Sequence, residues 1–169
     1  MNRPAYWAGA VALALALSVG GCGAPGESED ARTEDTMNQD EAATRVTEHI
    51  EGVVAALPEG AELEPRQGMN VAACDDPTDG GPRDRVTVSE RLWIRGLPVE
   101  DNEANTDLLV AYWTDNGYEV VMDERPDNQS VTVRHTEDSF NVSLRVTDQG
   151  SLSLAASSPC VWPEGAPGS

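Results

Sequence analysis

An uncharged, apolar stretch that ends in a cysteine most constrains how this chain can fold. Residues 5–19 carry no charge and are mostly apolar, Arg3 precedes them, and Gly20-Gly21-Cys22 follows them. This run of about 15 residues is shorter than the roughly 20 that a membrane-spanning helix requires. It therefore predicts a cleaved signal peptide over residues 1–21. The remainder of the chain is expected to fold outside the cytoplasm, where disulfides persist.

The cysteine count favours one disulfide in the folded part. Of the three cysteines, Cys22 is assigned to the signal junction, which leaves Cys74 and Cys160 to pair with each other. A bridge across so long a loop is expected to stabilise the fold by roughly 4 to 5 kcal/mol. Metal binding or a reactive thiol is the less favoured alternative. No Cys-x-x-Cys spacing occurs, and neither His49 nor His135 is near a cysteine in sequence.

The charge balance and the missing motifs exclude several classes of protein. The formal net charge is −19, and all 11 basic residues are arginine. Nucleic acid is not an expected partner, because phosphate repels so acidic a chain. Without lysine this chain has no Walker A lysine, no Schiff-base lysine and no Ser-x-x-Lys nucleophile pair. Gly-x-Ser-x-Gly and His-Glu-x-x-His are missing too. We therefore predict neither an enzyme nor a bound cofactor or metal.

Composition divides the chain that follows the signal into three parts. Residues 22–39 are rich in acidic, glycine, proline and small polar residues, which predicts a disordered linker. Regular apolar patterns then occupy residues 40–163, enough chain for one domain with a single core. Residues 164–169 are predicted to form a disordered tail.

The apolar spacing predicts two helices. Apolar residues recur every three or four positions in residues 40–57 and again in residues 102–116, the period of a helix with one buried face. Asn38 or Asp40 can cap the first helix. His49 is expected at the flank of its apolar stripe, as a surface or edge histidine.

Period-two patterns predict the strands of one sheet. Strand-like runs occupy residues 86–97, 118–124, 130–135, 140–147 and 151–158. Residues 59–85 are expected to be irregular, apart from a short strand around residues 69–74. Short polar turns between the last four runs favour antiparallel hairpins. The predicted fold is α+β, with one antiparallel sheet of four to five strands packed against two helices. The other face of the sheet is expected to be polar and solvated.

An acidic loop offers a second place for a metal ion. Asp75, Asp76, Asp79 and Asp84 surround a Gly-Gly turn. Calcium favours such oxygen-rich loops, but the order of aspartates and the distal glutamate of an EF-hand are missing. A solvated turn is the favoured interpretation, and a calcium site stays the alternative.

Three motifs together resemble a known group of proteins. These are the Gly20-Gly21-Cys22 junction, the Ala-Tyr-Trp-x3-Gly-Tyr sequence of residues 111–118, and Ser-Ser-Pro-Cys-Val-Trp-Pro at residues 157–163. They resemble small actinobacterial lipoproteins whose function is unassigned. The resemblance implies that Cys22 is acylated and tethers the domain to the outer face of the cell membrane. It implies no reaction.

The expected function is therefore non-enzymatic binding in the cell envelope. The partner would be an envelope protein or a small ligand, with the lipid on Cys22 as the membrane contact. Candidate contacts are Trp93, Arg134, Arg145 and Trp162, because aromatic and arginine side chains carry much of the binding energy of interfaces. An anchored carrier of small molecules is one alternative, which requires an apolar cavity between helices and sheet. A hydrolase is a less favoured one.

Overall fold

The structure is a computed structural model and describes residues 33–75 and 82–168. The elements of this part follow the order α1 (Gln39–Ala56), β1 (Glu62–Ala73), β2 (Val86–Arg95), a short 3-10 helix (Val99–Asp101), α2 (Asn102–Asp115), β3 (Tyr118–Asp123), β4 (Ser130–His135), β5 (Asn141–Val146) and β6 (Leu152–Ser157).

The six strands of this described part form one antiparallel sheet in the order β1-β2-β6-β5-β4-β3. Strands β3 to β6 form a meander, and β6 then pairs with β2. On one face, Leu92, Leu154, Leu144 and Val131 lie side by side on neighbouring strands. This row is the centre of the core, because alternate residues of each strand point to the same face.

Both predicted helices are confirmed, and their apolar stripes are buried with that sheet face. In α1 the buried stripe includes Ala42, Val46, Ile50 and Val53, which follow one another at helical spacing. In α2 the fully buried Trp113 contributes the largest side chain. Asn38 caps α1: its side chain accepts from the Glu41 amide, and the Glu41 carboxylate accepts from the Asn38 amide. The α+β class is thus confirmed.

The sheet has six strands rather than four to five, because β1 joins it as an outer strand. β1 is also much longer than the short strand expected there. Pro65 and Gly68 interrupt its pattern, and its pairing with β2 shifts register twice between Pro65 and Asn70. Most of its residues are exposed. A strand exposed on both faces has no apolar alternation, so its local sequence carries little strand signal.

The predicted disulfide between Cys74 and Cys160 is confirmed, with a Cα–Cα distance of 5.8 Å. It joins the end of β1 to the segment that follows β6. Next to it, Val86 and Val161 exchange two backbone hydrogen bonds of 2.9 Å. The bridge therefore connects the outer strand to a segment that is already paired with β2.

A buried ion pair lies beside the disulfide. The Arg85 side chain is 3% exposed and the Asp75 side chain 8%. Arg85 donates from Nε and Nη2 to Asp75 Oδ1 over 2.9 and 2.7 Å, and its amide donates to Asp75 Oδ2. Of the aspartates considered for calcium, Asp75 is thus engaged with an arginine, while Asp76 and Asp79 lie outside the described residues.

The segments on either side of the expected domain take part in the fold. Thr36 donates its amide to the Gly165 carbonyl, and its hydroxyl accepts from the Trp162 amide. The Trp162 indole N–H donates to the Glu34 carbonyl, and the side chain is only 4% exposed. The contacts of the fold therefore include residues ahead of residue 40 and past residue 163. Trp162, expected as a surface contact, is instead buried beneath the chain that precedes α1.

Candidate functional site

The sheet face opposite the helices carries a polar groove. Its floor is a row of small side chains in register across three neighbouring strands, Ala155, Ser143 and Thr132. Arg91 pairs with Ala155 and lies at one end of this row. Small residues between larger neighbours leave a depression of about 310 Å³. We call it the arginine groove.

Three arginines and four hydroxyls line the arginine groove. The arginines are Arg66, Arg91 and Arg145, and the hydroxyls are those of Ser130, Thr132, Ser143 and Ser153. Each guanidinium presents a planar fork of N–H donors, which matches the oxygens of a carboxylate or phosphate. Because the hydroxyls can also donate, the groove suits a ligand rich in acceptors.

The groove arginines are less neutralised than other arginines on the same face. Arg95 pairs with Glu64 over 2.9 Å, and Arg134 approaches Glu119 to 4.0 Å. Within the described residues, Arg91 and Arg145 have no such carboxylate partner. The groove is therefore a local centre of positive charge on a chain whose formal net charge is −19.

Arg66 is positioned by two contacts. Its Nη1 donates to Ser153 Oγ over 3.1 Å, and its guanidinium carbon lies 4.4 Å from the centroid of the Trp93 ring. Arg95 lies on the same ring at 4.9 Å. Such cation–π contacts hold a guanidinium without neutralising its charge. Trp93 thus supports the rim of the groove.

The predicted contacts divide between two parts of the molecule. Trp93, Arg134 and Arg145 all lie on the open sheet face, and Arg145 lines the groove itself. Trp162 lies elsewhere and is buried. Arg66 and Arg91 were not among the predicted contacts. Arg91 alternates with the buried Leu92, and this period-two pattern is the signal that could have found it, whereas Arg66 falls in the segment expected to be irregular.

The two histidines meet at the other side of the sheet. His49 is only 8% exposed, so its expected surface or edge position is wrong. It lies three residues after Val46 and four before Val53, which places it on the buried stripe of α1. His135 continues the alternation of Val131 and Val133 and so also faces the helices.

Asp138 joins the two histidines into a cluster. Its Oδ2 lies 3.1 Å from His49 Nε2, and its Oδ1 lies 2.7 Å from His135 Nδ1. His49 Nδ1 is 2.6 Å from the Tyr118 hydroxyl oxygen. Arg45 Nε donates to Asp138 Oδ2 over 3.1 Å. We call His49, His135 and Asp138 the histidine–aspartate cluster, with Tyr118 and Arg45 as its neighbours.

Burial and hydrogen bonding determine the charges of this cluster. Burial lowers the pKa of His49, although Asp138 opposes the shift. Burial also acts to raise the pKa of Asp138, but hydrogen bonds from His135 and the Phe140 amide hold it below its usual value. Burial raises the pKa of Tyr118 to about 12. At neutral pH the cluster therefore holds an ionised Asp138, a neutral His49 and a protonated Tyr118.

Two groups of side chains have the spacing of metal ligands. Ligand atoms of His49, His135 and Asp138 all lie within 4.8 Å of one another. Cys74, Cys160 and Asp75 form the second group, but its sulfurs are joined in the disulfide and so are not free thiolates. Of these two, only the histidine–aspartate cluster offers ligand atoms that are not joined by a covalent bond.

The chain matches no protein-family model, no curated protein and no solved structure. Among the residues that the structure describes, no helix is both long and apolar enough to cross a membrane.

Proposed function

We propose that this protein is a lipid-anchored, extracytoplasmic binding module that holds an anionic ligand in the arginine groove. The observation that carries the proposal is the grouping of three arginines and four hydroxyls around a floor of small side chains. The ligand is a small molecule that bears a carboxylate or phosphate group.

The charge pattern supports an anionic ligand. The chain contains 30 acidic residues, so a partner for a surface arginine is easy to supply. Arg125, for example, pairs with both Asp107 and Asp123 over 2.6 Å. In the part of the chain that the structure describes, Arg91 and Arg145 have no such carboxylate partner, and their charges raise the positive electrostatic potential in the groove. Their mutual repulsion is offset when an anion binds. Three cations in one groove therefore favour a ligand that brings the missing negative charge.

The size and position of the groove support a small ligand on the open sheet face. Its volume of about 310 Å³ is at the lower end of ligand-binding sites. A carrier would instead need an apolar cavity between helices and sheet. In that layer Val46, Val53, Leu109, Trp113 and Leu154 are fully buried against their neighbours. The polar groove is the better supported place for a ligand.

Titration with matched sugars tests the groove. We expect glucose 6-phosphate or glucuronate to shift the Nε–H signals of Arg66, Arg91 and Arg145 in a saturable way, with little effect from glucose. Arg91→Gln and Arg145→Gln should each weaken binding about 10-fold, because a charge-assisted hydrogen bond contributes about 1.5 kcal/mol.

Arg134→Gln is the matched control for this titration. Arg134 lies on the same face but does not line the groove, so the variant should keep most of the affinity. Equal binding of glucose, or an equal loss in Arg134→Gln and Arg91→Gln, would contradict an anion site in the groove.

The anchor on Cys22 is a separate prediction, because this residue lies outside the described part of the chain. We expect the native protein to fractionate with membranes and its mature amino-terminal peptide to carry acyl chains in mass spectrometry. Cys22→Ser should release the domain from the membrane fraction, because the variant lacks the thiol that we propose is acylated. Ligand binding in the groove should be unchanged. Membrane association that survives in Cys22→Ser would contradict the anchor.

A further inference from the structure

We propose that His49, His135 and Asp138 bind one divalent transition-metal ion, with zinc as the representative ion. The site lies on the helix-covered side of the sheet, separate from the arginine groove. It brings together side chains from α1, from the end of β4 and from the turn that follows β4.

The donor set has the chemistry of a transition-metal site. Two imidazole nitrogens and one carboxylate suit zinc and its neighbours in the first transition series, whereas calcium and magnesium prefer oxygen alone. Three protein ligands leave one position of a tetrahedral ion for water. The side chains of His135 and Asp138 are 15% and 10% exposed, which gives solvent access to that position.

Two distances between ligand atoms of the cluster are shorter than those of a bound state by less than about 1 Å. Zinc–nitrogen and zinc–oxygen bonds of about 2.0 to 2.2 Å separate tetrahedral ligand atoms by about 3.3 to 3.5 Å. His49 Nε2 and Asp138 Oδ2 are already 3.1 Å apart, and His135 Nδ1 and Asp138 Oδ1 are 2.7 Å apart. Small side-chain rotations open these two pairs, and an ion then replaces the hydrogens that they share.

Neighbouring groups orient two of the three ligands. When His49 donates its Nδ1–H to the Tyr118 oxygen, the Nε2 lone pair faces Asp138 and the ion. The Phe140 amide donates to Asp138 Oδ1 over 3.3 Å. Such outer hydrogen bonds are characteristic of metal-binding histidines and carboxylates. Arg45 donates to Asp138 Oδ2 and competes with the ion, but its side chain is 46% exposed and can turn towards solvent.

Calorimetric titration of the chelator-stripped protein with zinc chloride tests the site. We expect saturable binding of one ion per chain, and no comparable heat with magnesium chloride. His135→Gln should weaken zinc binding at least 100-fold, and Tyr118→Phe about 10-fold, because it removes only the outer hydrogen bond. Asp123→Asn is the control, because that carboxylate pairs with Arg125 away from the cluster. It should bind zinc like the parent.

Imidazole nitrogen spectra of the parent protein make the test independent of whether a variant folds. Zinc should shift the signals of His49 Nε2 and His135 Nδ1 at a one-to-one ratio. Unshifted imidazole signals at excess zinc, or unchanged binding in folded His135→Gln, would overturn the proposal. Sugar binding in the arginine groove is measured separately, so either result leaves that proposal unaffected.

Discussion

Replacing both Cys74 and Cys160 by serine is expected to lower the free energy of unfolding by about 4 kcal/mol. The two residues are 86 positions apart in sequence. A cross-link of that span restricts the unfolded chain, and this entropic restriction is the main source of the stabilisation. The substitution should leave the folded state nearly unchanged, because other contacts hold the same segment. Val86 pairs with Val161, and Ser158 binds the backbone of Val88 through both its amide and its hydroxyl.

Urea denaturation of the soluble Cys22→Ser protein, with and without the two further substitutions, measures this loss. Reduction of the disulfide in the parent should lower its stability to the same level, whereas reductant should not change the double-serine variant. The urea dependence of the unfolding free energy should increase, because an uncross-linked chain exposes more surface. A loss below about 1 kcal/mol would contradict the chain-entropy account for this bridge.

Asp75→Ala is expected to lower the free energy of unfolding by about 3 kcal/mol. The Arg85 side chain is 3% exposed, and its guanidinium donates two hydrogen bonds to Asp75 Oδ1. Removing the carboxylate leaves a buried positive charge without this counter-charge, which costs far more than the intact pair contributes. The Arg85 amide also loses its bond to Asp75 Oδ2.

A double-substitution cycle separates the ion pair from ordinary packing. Asp75→Leu combined with Arg85→Met replaces both charges by apolar groups and should recover most of the stability lost in Asp75→Ala. Glu64→Ala is the exposed control, because it breaks the surface pair with Arg95 and should change the denaturation midpoint much less. A double variant as unstable as the sum of its single variants would show that the charge pairing is not the cause.

Local patterns in the sequence were sufficient for most of the elements. The stripe from Ala42 to Val53 predicts α1 because a helix repeats every 3.6 residues, and the alternation of Val131 with Val133 predicts β4 because a strand repeats every two. The disulfide was predicted from the expected compartment and the cysteine count, and the structure confirms the pairing. None of these predictions requires knowing which strands pair with each other.

The arginine groove was predictable in part. The period-two alternation of each strand predicts that Arg91, Arg145 and Ser143 lie on the polar face, but it does not predict that they are neighbours. Their proximity depends on β6 lying between β2 and β5, which the order of strands in sequence does not reveal. Arg66 lies beside these residues only because β1, in a segment expected to be irregular, pairs with β2.

Local periodicity and redox chemistry were thus enough to predict both helices, strands β2 to β6 and the covalent bridge. The tertiary structure alone decided which distant polar groups meet. His49 and Asp138 are 89 positions apart, and the Trp162 indole and the Glu34 carbonyl are 128 apart. Such contacts arise when strand pairing and helix packing fold the chain back on itself, and no local period encodes them.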